Sequence, residues 1–197
     1  MRADLAKEHL RKKLLEMRRE LTFEAVWARS AIIQKNLVDS PLFKEAQKIA
    51  LYSSCENEVL TDDIFLSASL EKKDIYYPRV FKGAMEMRFL SVSSLDELSP
   101  GAYDIREPGA VKVEINPGEL DLIVLPGVAF DTNGARLGFG KGYYDRALSD
   151  IKCPLAALAY DFQIMDSIPR EAFDVSMDYI ITDKGLIRTS VEEDDRV

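Results

Sequence analysis

The run Arg136-Leu-Gly-Phe-Gly-Lys-Gly-Tyr-Tyr-Asp145 carries the clearest chemistry in the chain. Glycines at three alternate positions remove the Cβ atoms that keep a ligand off the main chain. They also permit positive φ, so successive N–H groups can turn toward one concavity. Arg136 and Lys141 bring two cations to that concavity. Tyr143 to Leu148 reads as the start of a helix, whose first N–H groups and dipole favour an anion. Upstream, Asp121-Leu-Ile-Val-Leu125 reads as a buried strand, joined to the run by a connection from Pro126 to Ala135. Strand, cationic glycine loop and helix together predict a phosphate cradle, with Asp145 placed to hold a magnesium ion on the phosphate. The spacing matches neither Gly-x-x-x-x-Gly-Lys-Ser/Thr nor Gly-x-Gly-x-x-Gly. A plain surface connection is the competing reading of the same run.

Composition narrows what such a cradle can serve. A net charge of −8 over 197 residues argues against nucleic acid or an anionic membrane as partner, so cations for a phosphate must be gathered locally. No run of about 18 apolar residues is present, and the charged start (Arg2, Asp4, Lys7, Glu8) has no apolar signal core. Cys55 and Cys153 read as reduced thiols, which with the rest predicts a cytoplasmic protein. His9 is the one histidine and sits in a heavily charged segment, which makes zinc or histidine-triad chemistry improbable. One α/β domain is expected over residues 1–190, followed by an acidic disordered tail at 191–197.

The elements that must position the cradle follow from periodicity. Residues 3–20 read as a helix with Leu5, Leu10, Leu14 and Met17 on one face. Its basic face places Lys7 and Arg11 four apart, on the same side. Thr22 caps a second helix to about Asp39, with Val26, Ser30, Ile33 and Leu37 inward and Trp27 packing; Ser40-Pro41 opens a short helical turn. Strands are expected at Lys48–Ser53, Asp74–Val80, Glu86–Leu90, Pro154–Tyr160 and Tyr179–Thr182, with a hairpin turn at Lys82-Gly83 and a helix capped by Thr61. Several of these strands are continuous apolar runs joined through helices, which predicts a three-layer α/β/α domain around a mixed, mostly parallel sheet. Ligands of such sheets collect past the carboxyl ends of the strands, where Ser53, Glu58 and the Asp161-Phe-Gln163 segment fall. Read without context, Glu58 would be a solvated carboxylate.

The run from Arg136 to Asp145, preceded by Leu125-Pro-Gly-Val-Ala-Phe-Asp131, resembles the 5-formyltetrahydrofolate cyclo-ligase family, also called methenyltetrahydrofolate synthetases. The likeness extends over nearly the whole chain. It implies a scaffold like that of sugar-phosphate isomerases and CoA transferases. The implied reaction is the ATP- and Mg2+-dependent cyclisation of 5-formyltetrahydrofolate to 5,10-methenyltetrahydrofolate, through phosphorylation of the formyl oxygen.

Residue by residue, Lys7-x-x-Leu10-Arg11 is similar to the family's N-terminal ATP element. With Arg136, Leu137, Gly138, Phe139, Gly140, Lys141, Gly142, Tyr143 and Tyr144 it makes the implied ATP site, in which Lys141 and Arg136 act on the transferring phosphoryl group. Ser53, Glu58, Tyr103 and Tyr143 fall at the substrate positions, and Asp145 with Asp174 at the magnesium positions. Arg79 matches a Pro-Arg segment and meets either the acidic tail of folate or a surface partner. The chain departs from the family pattern at Phe139, where some members carry Arg, and at Phe173, often His. The implied partners are small molecules, with no nucleic acid, no membrane and a monomeric state. A sugar-phosphate isomerase or transferase and a non-catalytic ligand binder are the competing functions.

Overall fold

The computed structural model describes residues 2–149, 151–171 and 174–190. The expected tail at 191–197 and the departure at Phe173 lie outside the described residues. Five helices are α1 (Arg2–Arg19), α2 (Phe23–Val38), α3 (Pro41–Glu45), α4 (Asp62–Leu70) and α5 (Tyr143–Ala147). The strands of the first half are β1 (Lys48–Ala50), β2 (Asp74–Phe81), β3 (Glu86–Ser91), β4 (Leu98–Pro100), β5 (Arg106–Pro108) and β6 (Glu114–Ile115). Those of the second half are β7 (Leu122–Leu125), β8 (Ala129–Asp131), β9 (Arg136–Leu137), β10 (Leu155–Leu158), β11 (Ile164–Met165), β12 (Tyr179–Thr182) and β13 (Gly185–Arg188).

The main sheet runs β13-β12-β10-β7-β1-β2-β3-β6. Its middle is parallel from β12 to β2, and antiparallel pairs close both edges. Leu-Ile-Val-Leu of β7 and Leu-Ala-Ala-Leu of β10 are buried at every residue, because both faces of a parallel centre are covered. On one face Ile49, Leu122, Val124 and Leu158 meet Ile33 and Leu37 of α2, Phe43 of α3 and Ile64 of α4. On the other, Ile123, Leu125, Ala157 and Ile180 meet Phe130, Tyr143 and Leu148. The expected three layers are therefore unequal, since among the described residues α5 is the one α-helix on the second face and has five residues.

Parallel strands send their carboxyl ends to the same side. The segments after β1, β7 and β10 consequently gather at one rim. The segment expected as a plain connection, Pro126 to Ala135, instead contains β8, which pairs with β9 and β11 in a small separate sheet. That sheet is the platform from which the glycine run departs. Helix α1 packs on it through Leu14, against Val128, Ala129, Leu137 and Ile168.

Three local expectations fail for identifiable reasons. Trp27 is exposed rather than packing, because the buried stripe of α2 runs through Val26, Ser30, Ile33, Gln34 and Leu37. Leu5 and Met17 also face solvent, as α1 buries a narrower stripe around Leu14 and Arg18. Thr61 donates its hydroxyl to the carbonyl of Tyr52 at 2.8 Å instead of capping α4. The cap comes from Gln34, whose Oε1 accepts the Asp63 N–H at 2.8 Å.

Candidate active site

Two of the three glycines in the run adopt positive φ, +84° at Gly140 and +64° at Gly142, so the loop turns as the spacing predicts. A Cβ on Gly142 would lie 2.8 Å from Nη1 of the exposed Arg146, which could swing aside, so the positive φ is what favours glycine there. Arg11 donates from Nε to the carbonyl of Gly138 at 2.9 Å, which pins α1 to the loop. Leu137 turns its side chain into the core beneath the loop. Lys141 is exposed, with no ion-pair or hydrogen-bond partner among the described residues for its ammonium.

Arg136 departs from expectation. Its guanidinium is buried rather than open to the concavity, and Nη2 lies 2.9 Å from Oδ1 of Asp145. It also lies over the Tyr144 ring, 5.4 Å from the centroid. The helix that follows is short: α5 has five residues and no side-chain cap, so its dipole adds far less than a longer helix would. Anion attraction at this loop comes from the side-chain cations and the turned N–H groups.

The two expected metal ligands are each paired with an expected ATP cation. Asp174 accepts from Lys7 Nζ at 3.0 Å and from the Glu171 N–H at 2.9 Å, both at Oδ2. Asp145 accepts at Oδ1 from Arg136 and from the Val175 N–H at 3.3 Å. Val175 follows Asp174, so one peptide bond brings the two carboxylates to the same corner. Each carboxylate keeps one oxygen without a partner among the described residues. No group of three or more His, Cys, Asp and Glu side chains suited to a metal is found among those residues. Two carboxylates nevertheless suit magnesium, which takes its remaining ligands from phosphate and water.

Across the rim lies Glu58, which is buried rather than solvated, 4% exposed. The segment after β1 folds back so that Oε2 accepts the Cys55 N–H at 3.1 Å, while Oε1 has no hydrogen-bond partner. Burial pushes its carboxyl up to about 7, against the pull of the Arg18 charge and the Cys55 N–H. The same burial, with the Glu58 charge, pushes the Cys55 thiol up to about 12, so it stays protonated. Ser53 is half-buried in the same segment. Tyr103 and Tyr143 meet through their hydroxyls at 3.2 Å, with Lys82 Nζ 4.4 Å above the Tyr103 ring. Arg79 is committed to the carbonyl of Pro108.

The residue that the sequence pattern did not single out is Arg18. It stands in the basic row of α1 yet is 1% exposed. Its Nε donates to the Glu56 carbonyl at 2.9 Å and Nη1 to that of Gly127 at 3.4 Å. Nη1 lies 3.7 Å from Oε1 of Glu58, and the guanidinium carbon is 5.5 Å from the Phe139 ring centroid. One side chain therefore touches the segments after β1 and β7 and the glycine loop itself. The available signal was its spacing of four from Leu14 on the buried stripe of the helix.

Residues 3–183 match the model of the 5-formyltetrahydrofolate cyclo-ligase family. A mouse 5-formyltetrahydrofolate cyclo-ligase is 30% identical over 89% of this chain and 93% of its own length. A mitochondrial one from Arabidopsis thaliana is 36% identical over 79% of this chain, and the match spans 66% of that longer protein. Among solved structures, the 5,10-methenyltetrahydrofolate synthetase of Aquifex aeolicus superposes with a TM-score of 0.83 at 37% identity, covering 95% of this chain and 94% of that one. The Mycoplasma pneumoniae synthetase gives 0.74 at 29%, covering 90% and 98%.

Proposed function

We infer the reaction from one premise: the chain belongs to the 5-formyltetrahydrofolate cyclo-ligase family. It is accordingly a ligase of folate one-carbon chemistry, which uses ATP to close 5-formyltetrahydrofolate into 5,10-methenyltetrahydrofolate and releases ADP and phosphate. Supporting this is the meeting of a cationic glycine loop with a buried, half-unpartnered carboxylate, Glu58, across the single guanidinium of Arg18.

The formyl oxygen is amide-like and a poor leaving group. In the proposed course the γ-phosphoryl passes from ATP to that oxygen. N10 then attacks the formyl carbon, the C–O bond breaks with loss of phosphate, and N10 gives up its proton. Lys141 carries the charge of the transferring group, and the N–H groups from Gly138 to Gly142 line its oxygens. Lys7 and Arg11 hold the nucleotide's phosphates from the α1 side, while Arg136 shapes the loop through Asp145. Asp145 and Asp174 would hold magnesium through their free oxygens, and the ion neutralises phosphate charge when bound. Glu58 accepts from the ring N–H and amino group of the pterin, with Ser53 and Tyr103 around the substrate and Tyr143 at the junction of the two ligands.

The proposal extends to a cytoplasmic monomer acting on small molecules, without nucleic acid or membrane. No described helix is long and apolar enough to cross a membrane. The Arabidopsis relative is a mitochondrial one. The test is the absorbance of the methenyl product on mixing protein, ATP, magnesium and 5-formyltetrahydrofolate. Product that needs all three is the expected result. Binding of both ligands without product would leave a non-catalytic binder and overturn the assignment.

A further inference from the structure

Arg18 and Glu58 line the same small cavity, together with Tyr52, Pro126, Gly127 and Gln163. The Nη2 donor of Arg18 and the Oε1 acceptor of Glu58 are both buried without a hydrogen-bond partner. Each group has given up its hydrogen bonds to water without a replacement, a loss felt most by charged groups. The polar neighbours do not relieve them. Tyr52 spends its hydroxyl on the Val59 carbonyl at 2.7 Å, and Gln163 spends its amide on the carbonyls of Gly127 and Val128 and on the Tyr160 N–H. What remains is one donor beside one acceptor.

That pair discriminates among ligand chemistries. A phosphate or carboxylate there would meet Glu58, and an ammonium would meet Arg18. A cyclic amide edge, with C=O next to N–H, satisfies both atoms together. We propose that Arg18 donates from Nη2 to the carbonyl oxygen of the substrate's pyrimidinone ring while Glu58 accepts the adjacent ring N–H, which makes Arg18 a specificity-determining residue. This rests on the reading of Glu58 as the pterin carboxylate. Phe139, over the guanidinium and 41% exposed, covers Arg18 from the side of the loop. A ligand edge reaching Nη2 therefore comes into contact with the phosphate loop as well.

The decisive probe is the 4-amino analogue of 5-formyltetrahydrofolate, in which a donor replaces the carbonyl oxygen and the adjacent ring nitrogen no longer carries a proton. Calorimetric affinities for the 4-oxo and 4-amino forms are compared in the wild type, Arg18→Met and Arg18→Lys. The wild type is expected to favour the 4-oxo form by at least about tenfold, since a site built for a hydrogen bond rejects a ligand that cannot make it. Arg18→Met should lower the ratio severalfold without bringing it to one, since Glu58 still distinguishes the ring N–H, while ATP affinity changes little. Should that variant fail to fold, Arg18→Lys keeps the charge beside Glu58 but loses the guanidinium fork, and the ratio should still fall. A ratio unmoved in a folded variant would reduce Arg18 to a counter-ion of Glu58 and overturn the proposal. A wild type that binds neither form would overturn the functional assignment together with it.

Discussion

Nη2 of Arg136 lies 2.9 Å from Oδ1 of Asp145, joining the first residue of the glycine run to the last. The pair closes the loop into a ring, so its curvature is set before any phosphate arrives. The guanidinium is 5% exposed and the carboxylate 21%, which places the pair between a surface bridge and a buried one. Removing one partner of a fully buried pair destabilises by about 3–5 kcal/mol, and an exposed pair contributes about 0–1. Arg136→Met should therefore lose roughly 1–3 kcal/mol in urea unfolding. Asp145→Asn added on top should cost little more, because the two residues share one interaction. Additive losses would mean that the pair does not set the loop.

Lys141 sits in the same loop but is exposed and without an ion-pair partner among the described residues, so its contribution should be to rate alone. Lys141→Ala is expected to lower kcat by about a hundredfold or more, the effect of deleting one developing-charge contact. Stability should stay within about 0.5 kcal/mol of wild type, as for other surface substitutions. Unchanged turnover would take Lys141 out of the chemistry.

These two residues also show how far the sequence could be read. The alternation of glycine and the presence of Arg136, Lys141 and Asp145 are local, and a local pattern was enough to locate the loop and the strand before it. That Arg136 points at Asp145 rather than at a ligand is a matter of side-chain direction, decided by how β9 sits on β8. The apolar runs of β7 and β10 announced a sheet covered on both faces. The three-residue strand β8 carries no periodic signal, and the segment that holds it reads as connection. Glu58 and Arg18 were legible only in part, since burial of a charged side chain depends on a partner far away in the chain. For these two, 40 residues apart, the partner is each other.

At the opposite corner, Lys7 holds Asp174 at 3.0 Å, with both side chains more than four-fifths buried. The carboxylate is thus held in place by protein contacts before any metal binds. Asp174→Asn should raise the magnesium concentration for half-maximal turnover by at least about tenfold, since altering a ligand should cost no less than altering its outer-shell support. Removing magnesium with a chelator should abolish turnover and leave the melting temperature unchanged. A melting temperature that falls on chelation would mean that the ion is structural. Turnover that persists in chelator would remove the metal from the reaction.

Glu58 ties stability and activity to pH in opposite directions. Burial raises its carboxyl to about 7 in the folded protein, against 4.5 for an unperturbed glutamate. Between those values the folded state binds more protons than the unfolded one, so this residue's contribution to stability falls as pH rises. At about 1.4 kcal/mol per unit, the loss from pH 4.5 to pH 8 is roughly 3 kcal/mol. Glu58→Gln cannot titrate and should lack that slope. Activity runs the other way, because accepting two pterin donors requires the carboxylate: kcat/KM for folate in the wild type should climb through about pH 7. Urea unfolding of both proteins at a series of pH values, alongside folate kinetics, checks the two limbs separately. Parallel stability curves would mean that Glu58 is ionised at ordinary pH in the folded protein, and the proposed rise in activity would then have to belong to another group.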